Sequence, residues 1–116
     1  MVQMIVQVSE ELAERLRPIG SWLPTVLEIS LVGCQTVAAA TATEVIQFLS
    51  QDPTPQAVLA YHVSEQAQAR LQRLLALNAG GLLGEEEHLE LDELQRIEHV
   101  LIMLKAQVAQ QLQQEP

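Results

Sequence analysis

Leu94-Gln95-Arg96-Ile97-Glu98-His99-Val100-Leu101-Ile102-Met103-Leu104-Lys105-Ala106-Gln107-Val108 is the stretch that decides how this chain is built. Leu94, Ile97, Leu101, Leu104 and Val108 step by three, four, three and four residues, the period of a coiled-coil seam. A helix running from about Glu85 to Gln113 would span roughly 40 Å at 1.5 Å per residue. Burying the five seam residues would contribute roughly 1.5 to 3 kcal/mol each. One face of the rod therefore needs another helix, from this chain or from a second copy. The five seam residues are the candidate partner-binding residues.

Working outward, Ser64 has the position of an N-cap for a preceding helix with the stripe Ala67, Leu71, Leu74 and Leu75. Asn78 and Gly80-Gly81 end it. Residues 64–116 thus read as an antiparallel helical hairpin with a long last helix. Asp52-Pro53-Thr54-Pro55 is the strongest break in the chain. It opens a Pro-containing linker, 53–63, in which Thr54 and Pro55 can start a helical turn reaching Leu59.

Residues 1–52 read as a separate dimerisation module. Val2 to Val8 alternates, with Val2, Met4, Val6 and Val8 on one side and Gln3, Ile5 and Gln7 on the other, which predicts a short strand. A lone strand is unstable, so pairing with a second copy across a two-fold axis is the economical expectation. Ser9 then caps a helix carrying Leu12, Leu16 and Ile19, which Pro18 and Gly20 end. A second helix follows from Leu23 to Val32, ending at Gly33, with Pro24 tolerated in its first turn. Thr41 and Glu44 have the spacing of a capping box for one more short helix, with Val45, Ile46, Phe48 and Leu49.

Composition narrows the function. Trp22, Phe48 and Tyr61 are the three aromatic residues in a chain that is 48% hydrophobic, so the core must be aliphatic. The net charge is −9, from 15 acidic and 6 basic residues, which opposes affinity for nucleic acid and for anionic membrane and favours a basic protein partner. The single cysteine, Cys34, excludes an internal disulfide framework and fits a reducing compartment. With no run of 18 apolar residues and no basic-then-apolar leader, a cytoplasmic location is expected.

Chemistry-bearing motifs are sparse, and no enzyme, cofactor or metal is expected. Glu85 and His88 have the Glu-x-x-His spacing of di-metal carboxylate bundles. Carboxylates at a helix N-terminus are, however, what the macrodipole alone selects, so the run from Glu85 to Glu93 reads as a solvated face. Cys34 has no neighbouring base, no serine sits in a nucleophile elbow, and Gly80-Gly81-Leu82-Leu83-Gly84 lacks the Lys-Ser/Thr ending of a phosphate loop.

The order strand, helix, helix is similar to the ribbon-helix-helix module of bacterial antitoxins and small repressors. That resemblance would make Gln3, Ile5 and Gln7 the DNA-facing side chains, since glutamine can pair bidentately with adenine. Charge argues the other way, because residues 1–50 hold two arginines against five glutamates, 2 − 5 = −3.

Over nearly its full length the chain also resembles a family of small uncharacterised helical proteins widespread in cyanobacteria and related bacteria. The segments that carry the resemblance are Leu16-Arg17-Pro18, Leu23-Pro24, Phe48-Leu49, Pro53-Thr54-Pro55, Gln68-Ala69-Arg70 and Glu98-His99. Ser30-Leu31-Val32 replaces the family's glycine-leucine-arginine, and Leu101 and Ile102 are apolar where charged residues are usual, which favours protein binding over DNA. The resemblance implies an antitoxin-like, non-catalytic homodimer whose acidic hairpin (residues 51–116 sum to 4 − 10 = −6) docks a basic partner such as a nuclease. Two alternatives remain open, an assembly or scaffold subunit of a larger complex and a DNA-binding autorepressor.

Overall fold

The computed structural model describes residues 1–114. Six α-helices follow one another: α1 (Glu10–Leu16), α2 (Leu23–Leu31), α3 (Ala38–Leu49), α4 (Pro55–Ala60), α5 (Glu65–Ala79) and α6 (Glu85–Gln114). A tight 3-10 segment, Arg17–Trp22, joins α1 to α2. The chain folds around α6, which packs against α2, α3, α4 and α5.

The N-terminal strand is not there. Among the described residues there is no β-strand, and residues 1–8 run without secondary structure, with Val2, Met4, Ile5 and Val6 left 71–97% exposed. Alternation of β-branched residues favours extended backbone, but a strand also needs a ladder partner, and among the described residues no segment offers one. The ribbon-helix-helix start is therefore not supported. With it goes the surface that would have presented Gln3, Ile5 and Gln7 to DNA.

Helix boundaries follow local chemistry where the cap is local. Ser9 Oγ accepts the Leu12 amide, Thr54 Oγ1 that of Ala57 and Ser64 Oγ that of Ala67, at 3.1–3.2 Å. After α5 the Gly81 amide donates to the Asn78 carbonyl and the Leu82 amide to that of Leu77, a Schellman closure that needs the positive φ of Gly81, 69°. Thr41 does not start α3, which begins a turn earlier at Ala38. Glu44, the other half of the expected capping box, instead accepts the Ser64 amide at 2.7 Å and so ties α3 to the start of α5.

The Pro-rich break does not separate two packing units. Ile19, Trp22, Val26, Ile29, Val45 and Leu49 share one core with Val58, Ile97, Leu104 and Val108. The Trp22 indole donates to the Pro53 carbonyl at 2.9 Å, sewing the break to the start of α2. Gly20, at φ 62° and ψ −137°, turns the backbone there, and a Cβ in its place would lie 2.8 Å from an Asp52 carboxylate oxygen. That conformation is close to glycine's private region, so the approach of the two segments is built around this residue.

Candidate functional site

The expected docking seam lies inside the molecule. Ile97, Leu104 and Val108 belong to the main core, and Leu101 packs half-buried against it. Leu94 belongs to a second cluster with Ala38, Leu74 and Leu91. The reason is length: α5 has 15 residues and α6 has 30, so the C-terminal half of α6 is covered by the N-terminal helices instead. These five residues hold the chain together and are not a free surface.

Two members of the acidic run are not solvated. Glu93 is buried, and its carboxylate accepts the Gln35 amide at 2.8 Å, the Thr36 amide at 3.1 Å and the Thr36 hydroxyl at 2.6 Å. The Thr36 oxygen in turn accepts the Ala38 amide, so Glu93 closes the N-terminus of α3 from 57 residues away. Burial pushes this carboxyl up, but the hydrogen bonds from Gln35 and Thr36, with the Arg96 charge, outweigh it and hold the group below its ordinary range.

Glu90 is the second. It receives Arg70 through Nε at 2.7 Å and Nη2 at 2.9 Å, a bidentate pair joining α5 to α6. Its hydrogen bond to Glu90 holds the Arg70 guanidinium more firmly protonated than usual. Sequence reading missed this pair, though a signal existed. Glu90 lies seven residues before Ile97 and so continues the seam's own register. Arg70 lies between Ala67 and Leu74 at helical spacing, beside the α5 stripe.

Of the remaining titratable groups, burial and then the Glu93 charge push the Cys34 thiol up, away from the reactive thiolate. Tyr61 stacks on Phe48 with ring centroids 4.1 Å apart. Burial and the Glu44 charge push its hydroxyl up to about 12, and its buried oxygen has no hydrogen-bond partner among the described residues. The Lys105 ammonium donates to the Tyr61 carbonyl at the end of α4. Among the described residues, no three His, Cys, Asp or Glu side chains come together as a metal centre would require. No helix there is long and apolar enough to cross a membrane.

Two of the surface grooves lie beside exposed apolar residues of α6. One, of about 730 Å³, runs between the start of α2, the Asp52–Pro55 turn and the C-terminal half of α6. Trp22, Pro24, Pro53, Met103 and Val108 line it, the carboxylates of Glu28 and Asp52 stand in its wall, and no lysine or arginine does. The other, of about 350 Å³, opens between α5 and α6 over Tyr61, with Leu71, Leu101, Ile102 and Lys105 along it. Ile102 and Met103, on opposite flanks of α6, are half exposed at 56% and 50%.

Comparison with protein-family models, with curated proteins and with solved structures returned no match to this chain.

Proposed function

We propose that the chain is a non-catalytic, dimeric protein-binding module, antitoxin-like, which docks a basic protein through the outer face of its α5–α6 hairpin. The observation that carries this reading is how the hairpin's charges are shared between inside and outside. Arg70 and Lys105 are engaged internally, which leaves Arg73 and Arg96 as its exposed cations. Against them stand Glu65, Glu85, Glu86, Asp92 and Glu98, all exposed. The two buried seam glutamates subtract from this face, yet it stays negative, and Ile102, one turn after Glu98, adds apolar contact beside it.

The antitoxin-like role, and a nuclease as the basic partner, rest on the resemblance to the cyanobacterial proteins. The reading as an assembly subunit is favoured by the half-exposed Ile102 and Met103, since an obligate complex would bury both. Capture from the source organism separates the two. The expected result is retention of an identified basic protein, weakened more than tenfold between about 50 and 300 mM salt and weakened again by Glu86→Lys with Glu98→Lys. Retention that ignores salt and both charge reversals but is lost with Ile102→Asp would replace docking of a basic partner by the assembly reading. Retention of no basic protein at any salt would end the proposal.

A further inference from the structure

The 730 Å³ groove beside Trp22 lies on the Met103 flank of α6, away from Ile102, and the hairpin reading does not use it. Its volume falls within the roughly 300–1,000 Å³ of ordinary ligand sites. Local constraints hold its walls in place. Pro24 and Pro53 stiffen the backbone on two sides, and the Trp22 indole is pinned by its hydrogen bond to the Pro53 carbonyl. Met103 leaves apolar surface open along the α6 wall. Met1 touches the groove with its side chain fully exposed, and so does not fill it.

The carboxylates of this groove have no work inside the fold. Asp52 is the one non-glycine residue with left-handed backbone among the described residues, at φ 51°. Its carboxylate reaches the groove wall across Gly20, where a Cβ would not fit. Glu28 reaches the same groove from α2. Neither forms an ion pair among the described residues. His99 is the other titratable side chain in the lining, and no lysine or arginine stands there. Apolar concave walls around two unpaired carboxylates concentrate negative potential in the space between them.

We infer that this groove docks a peptide segment of a basic protein, one that presents arginine or lysine beside aliphatic residues. Charge complementarity selects this occupant. A long cationic side chain meets both features of the site at once, because its stem covers apolar wall while its head reaches a carboxylate. Arginine suits the site best, since its planar fork pairs with carboxylates in a fixed geometry. A purely apolar segment would bury Glu28 and Asp52 without a partner, and an acidic one would be repelled. The inference shares the basic partner of the function proposed above but not its surface, so either can fail without the other.

The test is calorimetric titration of the full chain with a short acetylated and amidated peptide that alternates leucine and arginine. Trp22, the sole tryptophan, sits in the groove wall, so its emission reports whether the peptide arrives there. The control peptide carries citrulline, which is neutral and of similar shape, in place of arginine. The expected result is saturable binding that shifts Trp22 emission and weakens at least tenfold with the citrulline peptide. Asp52→Asn with Glu28→Gln is expected to weaken the arginine peptide by a similar factor. Asparagine tolerates left-handed backbone, so the turn is kept, and circular dichroism checks the helix content. Glu10→Gln with Glu11→Gln removes the same charge from α1 and is expected to leave the affinity unchanged.

Absence of binding at ~1 mM peptide would overturn the inference. So would equal affinity for the citrulline peptide, which would remove charge as the selector. Equal weakening by the α1 pair and the groove pair would reduce the effect to bulk charge and overturn the groove as the site. Binding that leaves Trp22 emission unchanged and ignores the groove substitutions would overturn it as well. None of these outcomes touches the hairpin face, which stands or falls on capture of the basic protein.

Discussion

Glu93 shows how one side chain can carry work that its surroundings in the sequence do not announce. Its neighbours Asp92 and Arg96 are exposed, but it is buried and closes α3 through Gln35 and Thr36. Because its folded value lies below the ordinary 4.5, the stability it contributes is fully present above that pH. That contribution is lost as pH falls through the lower folded value. Glu93→Gln keeps the shape but weakens the acceptor, and is expected to cost about 1 to 2 kcal/mol in urea unfolding near pH 7. The gap between variant and wild type should narrow at a pH below that lower folded value. An equal gap at both pH values would show that the carboxylate's charge plays no part.

At the scale of one element, α6 has two kinds of apolar residue that composition cannot tell apart. Ile97 and Ile102 are chemically identical and five residues apart, which puts them on different sides of the helix. Ile97 is 1% exposed in the main core, and Ile102 is 56% exposed. Ile97→Ala should cost about 2 to 5 kcal/mol through lost burial and an unfilled cavity. Ile102→Ala should stay within about 0.5 kcal/mol, as at other surface positions. Equal costs, measured by thermal or urea denaturation, would mean that α6 does not turn Ile97 into the main core. The contrast also separates the residues available for docking from those that hold the fold.

For the whole molecule, the shared core across Pro53 makes a prediction about cooperativity. Trp22 is the sole tryptophan and lies in the N-terminal half, so its fluorescence reports on that half. Far-ultraviolet circular dichroism is dominated by helix, much of it in α5 and α6. If 1–52 and 64–116 were independent units, these two probes would unfold at different urea concentrations. Because α6 is the common wall for α2, α3, α4 and α5, a single coincident transition is expected. Two separated midpoints would restore a division at the Pro-rich segment.

What could be read in the residue order was whatever local spacing carries. The 3-4 periodicity of Leu94 to Val108, the caps at Ser9, Thr54 and Ser64, and the Gly80-Gly81 stop concern neighbours within a few residues, and those elements stand where the spacing puts them. Distant partners are invisible to such reasoning. Glu93 reaching Thr36, Arg70 gripping Glu90, and the seam meeting α2, α3 and α4 are choices among many apolar or charged candidates, settled only when the helices pack. The strand failed for the related reason that alternation at Val2 to Val8 specifies extended backbone but supplies no second strand. Periodicity tells which face of a helix must be covered; which segment covers it depends on where the turns at Gly20, Pro53 and Gly81 send the chain.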